Sequence, residues 1–591
     1  MTPGATRNTT EPTAARRGGS GFRPRGLLFG LPPVVAAGLL YTTTRHHDYN
    51  ERWFVYSAYY VLFALVSVYV GMQVSALRLT TREIVSWAKD NWPGLVTTAA
   101  IALAVFASVA PGYRVLADEA NLVGVSKNLF FHRTANFAVT GKWYFESYWN
   151  LDEVTDRRPA LFPFLVSLIH AVRGYCPENA FLLNAILFVL FVFLSYRLGK
   201  AWGGEALGVC AALLVAATPT TLVSARSAGF DFCATFLLLV IVASFYRYVE
   251  NPSPRSLALL IVELCLFTHV RYEGGALLIL TGVVLLAMRR VRRSDLRGYG
   301  LLYSFVPLFL LPRYWQAVAK ANDAEQPLTT KLFSASHFAH NTREFGKIAL
   351  GPLVDAAHSP LLVILGGAGA VALLVTLIHR LATRRISRAT GELVLFVVAV
   401  LGALSVLCFS YFEGNPLQPA SARLFMWLDT FLAFTAAWLL VAAGRAVASA
   451  AAFTSHVVPV LASVALLVMA IPSAADPRFI DALIVTRQSA GVWRFFDKLG
   501  DKNILILGDR PGLYTIMDYG ALDIGIAASD RAPLYELSRK LYHDIYLVQE
   551  MSLETKKPLA GFDPWPDVET EAVCEFQNTE SEYIRIARVK H

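Results

Sequence analysis

A chain of 591 residues in which 55% of the side chains are hydrophobic and 16% charged, with a mean hydropathy of +0.46, carries more apolar surface than a soluble fold can bury. Its formal net charge of +9 is divided among short loops between apolar blocks, which excludes a nucleic-acid partner and fits the topology signals of a membrane protein. Four of the six cysteines (Cys210, Cys233, Cys265 and Cys408) lie inside apolar blocks, so a disulfide framework is excluded, and Cys176 and Cys574 are left as the pair able to meet outside a bilayer.

The chain opens with a Thr-, Gly- and Arg-rich stretch, residues 1–26, that lacks an apolar core followed by a cleavage site and reads as a disordered basic cytoplasmic tail. Blocks of about 17 to 25 apolar residues, the length that carries a helix across a hydrocarbon core, then predict thirteen transmembrane helices. They fall at 27–43, 53–78, 94–112, 180–198, 205–222, 231–249, 255–270, 272–288, 299–316, 360–379, 391–411, 422–443 and 456–473. If the N-terminus is inside, the cytoplasmic loops hold Arg16, Arg17, Arg23 and Arg25, then Arg197 and Lys200, then Arg289, Arg290, Arg292 and Arg293, then Arg380, Arg384, Arg385 and Arg388. Basic residues near membrane ends stay on the cytoplasmic side, so this alternation supports the topology.

With an odd number of crossings, the large loop 113–179 and everything after 474 face outward. Inside that loop, Ala160 to Tyr175 is apolar but short and contains Pro163, His170 and Arg173, which predicts an interfacial or re-entrant helix. Residues 27–474 thus form a membrane domain. Residues 475–591 read as a small extracytoplasmic α/β domain, with a helix at 490–499, strand-like runs at 504–507, 545–548 and 583–587, and a turn at 508–512.

The first outer loop begins with adjacent carboxylates, Asp118 and Glu119. A carboxylate there could take the proton of a hydroxyl acceptor; an acidic pair is also what a helix N-terminus favours. Some forty residues on, Arg157 and Arg158 stand before Pro159 and an apolar run. Their forked donors suit phosphate oxygens, and snorkelling to lipid headgroups is the alternative. Asp231, Arg271 and Glu273 lie in or beside apolar blocks, where an ionisable group is costly unless paired or facing a wet cavity; Arg271 and Glu273 are close enough in sequence to neutralise each other. His337, His340 and His358 share the outer loop 317–359 with Glu344 and Asp355, a setting in which histidines are more often solvated than metal-bound.

The order of these motifs resembles the GT-C fold glycosyltransferases that use polyprenyl-phosphate sugars, a group that includes protein O-mannosyltransferases and the aminoarabinose transferases of lipid A. The resemblance rests on the Asp118-Glu119 pair, the aromatic run Trp143-Tyr144-Phe145, Arg158-Pro159 followed by Pro163, the segment Ser224 to Asp231, the turn Thr268 to Gly274, and Ala422-Arg423-Leu424-Phe425, and it covers roughly residues 94–440. Where the family often has Lys-Pro-Pro this chain has Arg158-Pro159-Ala160, so that match is one of charge.

The resemblance implies a polytopic α-helical enzyme that moves a sugar, with inversion, from a polyprenyl-phosphate carrier to a lipid, glycan or protein acceptor. The reaction would take place on the outer face of a bacterial inner membrane. It implies Asp118 as catalytic base, Glu119 as an aid to acceptor or metal positioning, and Arg158, Arg157, Asp231, Arg271, Glu273 and Arg423 as substrate-binding residues. A divalent metal cofactor is left open. The rival outside catalysis is a transporter or flippase of lipid-linked sugars, but the internal repeats and matched broken helices common in transporters are not visible.

Overall fold

A computed structural model describes residues 25–46, 48–75, 80–322, 331–351, 358–447, 454–476, 486–529, 531–559, 568–577 and 581–590. Most of the basic N-terminal tail, and Asp355, therefore lie outside the described residues. Every predicted apolar block contains helix. The bundle comprises α1 (Arg25–Arg45), α2 (Asp48–Val74), α3 (Thr81–Ser108), α4 (Leu116–Phe131), α5 (Leu161–Arg173), α6 (Asn179–Gly203), α7 (Glu205–Val215), α8 (Pro219–Ser224), α9 (Phe230–Glu250), α10 (Pro254–Thr268), α11 (Gly274–Ala287), α12 (Arg293–Gly298), α13 (Gly300–Asn322), α14 (Ala335–Ile348), α15 (Pro360–Ala382), α16 (Arg388–Ser410), α17 (Pro419–Ala422), α18 (Met426–Val447) and α19 (Thr454–Ala475).

Among the described residues eight helices, not thirteen, are long and apolar enough to cross a membrane: α2, α3, α6, α9, α15, α16, α18 with its preceding turn, and α19. For three of the five helices that drop out the cause is length. At 1.5 Å per residue, α7 with 11 residues, α10 with 15 and α11 with 14 fall short of the ~20 residues that one crossing takes. The predicted helix 205–222 is broken after Val215, because Thr218 is extended and Pro219 starts a new helix at its first position. Conversely, α3 begins at Thr81, well before the predicted 94, since Thr80 and Glu83 form a reciprocal capping box there. The apolar segment after Pro159 is the short helix α5, as expected.

Two close approaches tighten the bundle. The helices α15 and α18 pack at close range: a Cβ at Gly369 would come within 2.2 Å of the Thr435 carbonyl, and small residues are what allow membrane helices this approach. The turn between α10 and α11 is equally tight, with a Cβ at Gly274 falling 2.4 Å from Thr268 Cα.

The loop after α4 forms a two-stranded antiparallel hairpin, β1 (Phe137–Tyr144) and β2 (Ser147–Val154), closed by Phe145 and Glu146 at φ of 47° and 58°. The aromatic run Trp143-Tyr144-Phe145 is thus its tip. The C-terminal segment builds a five-stranded mixed sheet in the order β4-β3-β5-β7-β6, from β3 (Ile504–Gly508), β4 (Gly520–Asp523), β5 (Asp544–Ser552), β6 (Thr570–Gln577) and β7 (Glu582–Val589), parallel over β4-β3-β5 and antiparallel over β7 and β6. The three strand-like runs read from the sequence are β3, β5 and β7.

This sheet domain docks directly onto α4 and the hairpin. Lys127 Nζ donates to the Thr515 carbonyl at 2.6 Å and pairs with Asp518 at 2.6 Å. Thr515 Oγ1 donates to the Ala138 carbonyl, Tyr175 Oη to that of Ile516, and Tyr542 Oη to that of Gly141. The first large loop and the C-terminal domain therefore share one face of the helical bundle.

Candidate active site

Asp118 and Glu119 occupy the first turn of α4, and the helix gives them different directions. Glu119 is buried, 2% exposed, and its Oε2 accepts the backbone N–H groups of Arg114 at 3.0 Å and Ala228 at 3.1 Å. It clips the start of α4 to the turn before α9, which Asn184 of α6 holds from the other side through the carbonyls of Ser227 and Gly229. Burial lifts the Glu119 carboxyl to about 7, against the opposing pull of those two N–H groups.

Asp118 points instead into a cluster of arginines. Its Oδ1 pairs with Arg158 Nη2, and its Oδ2 accepts from Arg423 Nη2 at 2.7 Å. Burial alone would raise this carboxyl, but the guanidinium groups of Arg158 and Arg423 outweigh it and hold Asp118 below the ordinary carboxylate range. Arg158 also donates from Nη1 to Asp156 Oδ1 at 2.7 Å. Asp156 itself is buried enough to be pushed above the usual range in spite of that contact.

The network continues through Asp231 at the start of α9. Arg423 Nη1 lies 3.4 Å from Asp231 Oδ2, and Arg271 pairs with Asp231 Oδ1 while forking onto Glu273 at 2.9 and 3.0 Å. The result is a chain of alternating charge, Asp156–Arg158–Asp118–Arg423–Asp231–Arg271–Glu273. Its members come from the loop before α5, the first turn of α4, the short 3-10 turn before α18, the first turn of α9 and the turn between α10 and α11.

Backbone bonds between loops make this convergence possible. Leu161 N donates to the His269 carbonyl at 2.8 Å, and Gly112 N to that of Arg226 at 3.1 Å. His269 in turn bonds the Phe309 carbonyl of α13 at 2.7 Å. A small cavity adjoins the cluster, lined on one side by Leu238, Phe267, Leu404, Leu424 and Trp427 and on the other by Asp231, Arg271, Glu273 and Arg423.

Of the residues singled out in the sequence, the structure brings together Asp118, Arg158, Asp231, Arg271, Glu273 and Arg423. Glu119 sits behind them as a backbone clip. Arg157 is exposed and takes no part in the network. The histidines separate: His337 and His340 ride on α14, whereas His358 is buried against Asp429 at 2.9 Å. Among the described residues no group of three or more His, Cys, Asp or Glu side chains is placed to hold a metal ion. Sequence reasoning missed Asp156 as a network member, and also Arg313 and Gln316 on α13. A guanidinium inside the predicted apolar span 299–316 was the signal available for Arg313.

Comparison with known proteins agrees with this picture. Residues 157–315, which start at the Arg157-Arg158 pair and end within α13, match the family described as dolichyl-phosphate-mannose-protein mannosyltransferase. No curated protein matches the chain in sequence. Among solved structures, ArnT from Cupriavidus metallidurans in the apo state is 16% identical with a TM-score of 0.53, over 84% of this chain and 98% of that one. ArnT from the same organism bound to undecaprenyl phosphate is 14% identical at 0.49, over the same shares. The Archaeoglobus fulgidus oligosaccharyltransferase in the apo form is 13% identical at 0.46, over 79% of this chain and 70% of that one. The apo ArnT match shows a shared fold. The family segment at 157–315 and the shared fold agree with the resemblance read from the motifs, and the chain is a multi-pass integral membrane protein.

Proposed function

We propose that this protein transfers a sugar, with inversion, from a polyprenyl-phosphate carrier to a lipid, glycan or protein acceptor, and that Asp118 is the base. The observation that carries the proposal is the placement of Asp118 between the guanidinium groups of Arg158 and Arg423. Inverting transfer needs a carboxylate to take the acceptor's proton and cations to meet the charge that develops on the departing phosphate. The cluster offers both within one short chain of contacts.

The same contacts set the order of events. Held by two arginines, Asp118 is a weak base. An incoming phosphodiester competes for the forks of Arg158 and Arg423, and as either guanidinium turns to it the carboxylate regains basicity. The acceptor oxygen then attacks the anomeric carbon while its proton passes to Asp118. The bond from that carbon to the phosphate oxygen breaks, and the carrier phosphate leaves with the electron pair against the arginines.

The alternation of basic loops supports an extracytoplasmic position for the loop that carries Asp118, and the domain 475–591 shares that face through its contacts with Lys127 and Tyr175. That domain, docked on α4, would help receive the acceptor.

The test is transfer by purified protein in lipid nanodiscs from polyprenyl-phosphate sugars, compared with Asp118→Asn. Loss of transfer with donor binding retained is expected. Transfer undiminished in the variant would remove Asp118 from the role, and movement of the intact donor across the bilayer without transfer would favour a flippase.

A further inference from the structure

Three arginines of the cluster are already answered by carboxylates: Arg158 by Asp118 and Asp156, Arg271 by Asp231 and Glu273, Arg423 by Asp118 and Asp231. Counted together, these three cations and four anions leave one net negative charge. A phosphodiester, itself monoanionic, gains little by approaching such a group unless a further cation stands nearby. Arg313 on α13 is that cation. Among the described residues it makes no ion pair; its Nη1 donates to the neutral Oε1 of Gln316 at 2.9 Å, and its guanidinium lies 5.1 Å from the centre of the Tyr272 ring.

The direction of Arg313 is set by a bracket. Gln316, 1% exposed, donates from Nε2 to the carbonyls of Asp156 at 2.9 Å and Arg158 at 2.7 Å. This buried amide therefore ties Arg313 to the very loop that carries Arg158. A snorkelling arginine is free to follow the headgroups, whereas this one is bound at its fork toward the cluster. Tyr272, directly after Arg271, is 50% exposed, so the pair lies at the rim of the site. The nearest negative charge that reaches it is Glu273, which Arg271 already forks onto; a half-buried guanidinium with no direct ion pair is costly, and an anion would complete it.

We infer that Arg313, stacked on Tyr272 and aimed by Gln316, forms an anion subsite at the rim of the site that receives the phosphate of the polyprenyl-phosphate sugar before it reaches Arg158 and Arg423. The inference rests on the donor class proposed above. It makes Arg313 a binding residue, and it places Gln316 as a positioning residue that acts through Arg313.

The experiment uses the full-length protein in nanodiscs, with donor KM and kcat measured for wild type, Arg313→Gln, Arg313→Lys and Tyr272→Leu. Binding of undecaprenyl phosphate, undecaprenol and phosphatidylglycerol is measured alongside. Loss of a charge-assisted bond in Arg313→Gln is expected to raise donor KM and weaken undecaprenyl phosphate about tenfold or more. Expected with it are a kcat within about threefold and undecaprenol binding unchanged; Arg313→Lys falls between, because it keeps the charge and loses the fork.

Unchanged donor KM and undecaprenyl phosphate affinity in Arg313→Gln would overturn the inference, as would equal weakening of undecaprenol or phosphatidylglycerol, which would mark a general lipid anchor. If Arg313→Gln does not fold, wild-type values in both Arg313→Lys and Tyr272→Leu overturn it, and a raised donor KM in either supports it. A wild type that binds undecaprenyl phosphate through Arg313 yet transfers nothing would defeat the glycosyl-transfer reading and leave the subsite standing.

Discussion

Glu119→Gln separates the two adjacent carboxylates. The structure gives Glu119 the work of accepting the N–H groups of Arg114 and Ala228 on a single oxygen, Oε2, which a glutamine carbonyl oxygen can also do. What the substitution removes is a buried charge. Burial raises this carboxyl from 4.5 to about 7, and at about 1.4 kcal/mol per pH unit the ionised form carries a penalty on the order of 3 kcal/mol.

The sign follows from proton linkage: between about pH 4.5 and 7 the folded chain keeps a proton that the unfolded chain releases, so stability falls as pH rises through that window and stays lower above it. The variant lacks this loss. Buried His170, lowered to about 4 by burial, contributes the opposite slope between about pH 4 and 6.5, so the difference between wild type and variant, not the wild-type curve, isolates Glu119. Thermal unfolding in detergent from pH 4.5 to 8 should show Glu119→Gln at or below wild-type stability at the acid end. At pH 8 it should gain on the order of 1–3 kcal/mol, with transfer activity retained. A parallel offset at all pH values, or loss of activity with the fold intact, would refute the assignment of Glu119 as a backbone clip.

Asp118→Asn, which keeps the shape and loses the base, is expected to lower kcat by about 10²–10⁴-fold, read as initial rates at saturating donor. Arg158→Lys retains charge but cannot fork between Asp118 and Asp156, so donor KM should rise about tenfold while Arg158→Gln loses more; equal kinetics for the two would show that the fork is irrelevant. The activity of wild type should persist into acid, because Asp118 is held below the ordinary carboxylate range, and replacing Arg423 by Gln should move the acid limb of the donor-free enzyme's kcat/KM profile upward. Lys127→Met removes the buried contacts to Thr515 and Asp518. Because Asp518 is a third exposed, the loss is about 1–3 kcal/mol, seen as faster protease nicking of the C-terminal domain; wild-type nicking rates would show that the Lys127 contacts do not hold the domain.

The sequence by itself determined the class of molecule and picked out most of the charged residues that meet in the cluster. Apolar blocks report helices because a bilayer allows little else, and charged residues such as Asp231, Arg271 and Arg423 stand out against them for the same energetic reason. Pattern also found β3, β5 and β7, where short apolar runs are bounded by turn residues. What it left open was direction and partnership. Asp118 and Glu119 are neighbours in sequence, and only the turn of α4 decided that one faces two arginines and the other two backbone amides. Arg157 and Arg158 look equivalent as letters, yet the chain bends at these two residues and leaves one in solvent and the other between two aspartates. Helix length, too, was decided in three dimensions, because α7, α10 and α11 are apolar enough to read as spans but too short to be complete ones. The pairing of Arg313 with Gln316, and of Gln316 with a loop some 160 residues earlier, has no local signature. Contacts made across the bundle depend on how helices cross, which sequence periodicity does not encode.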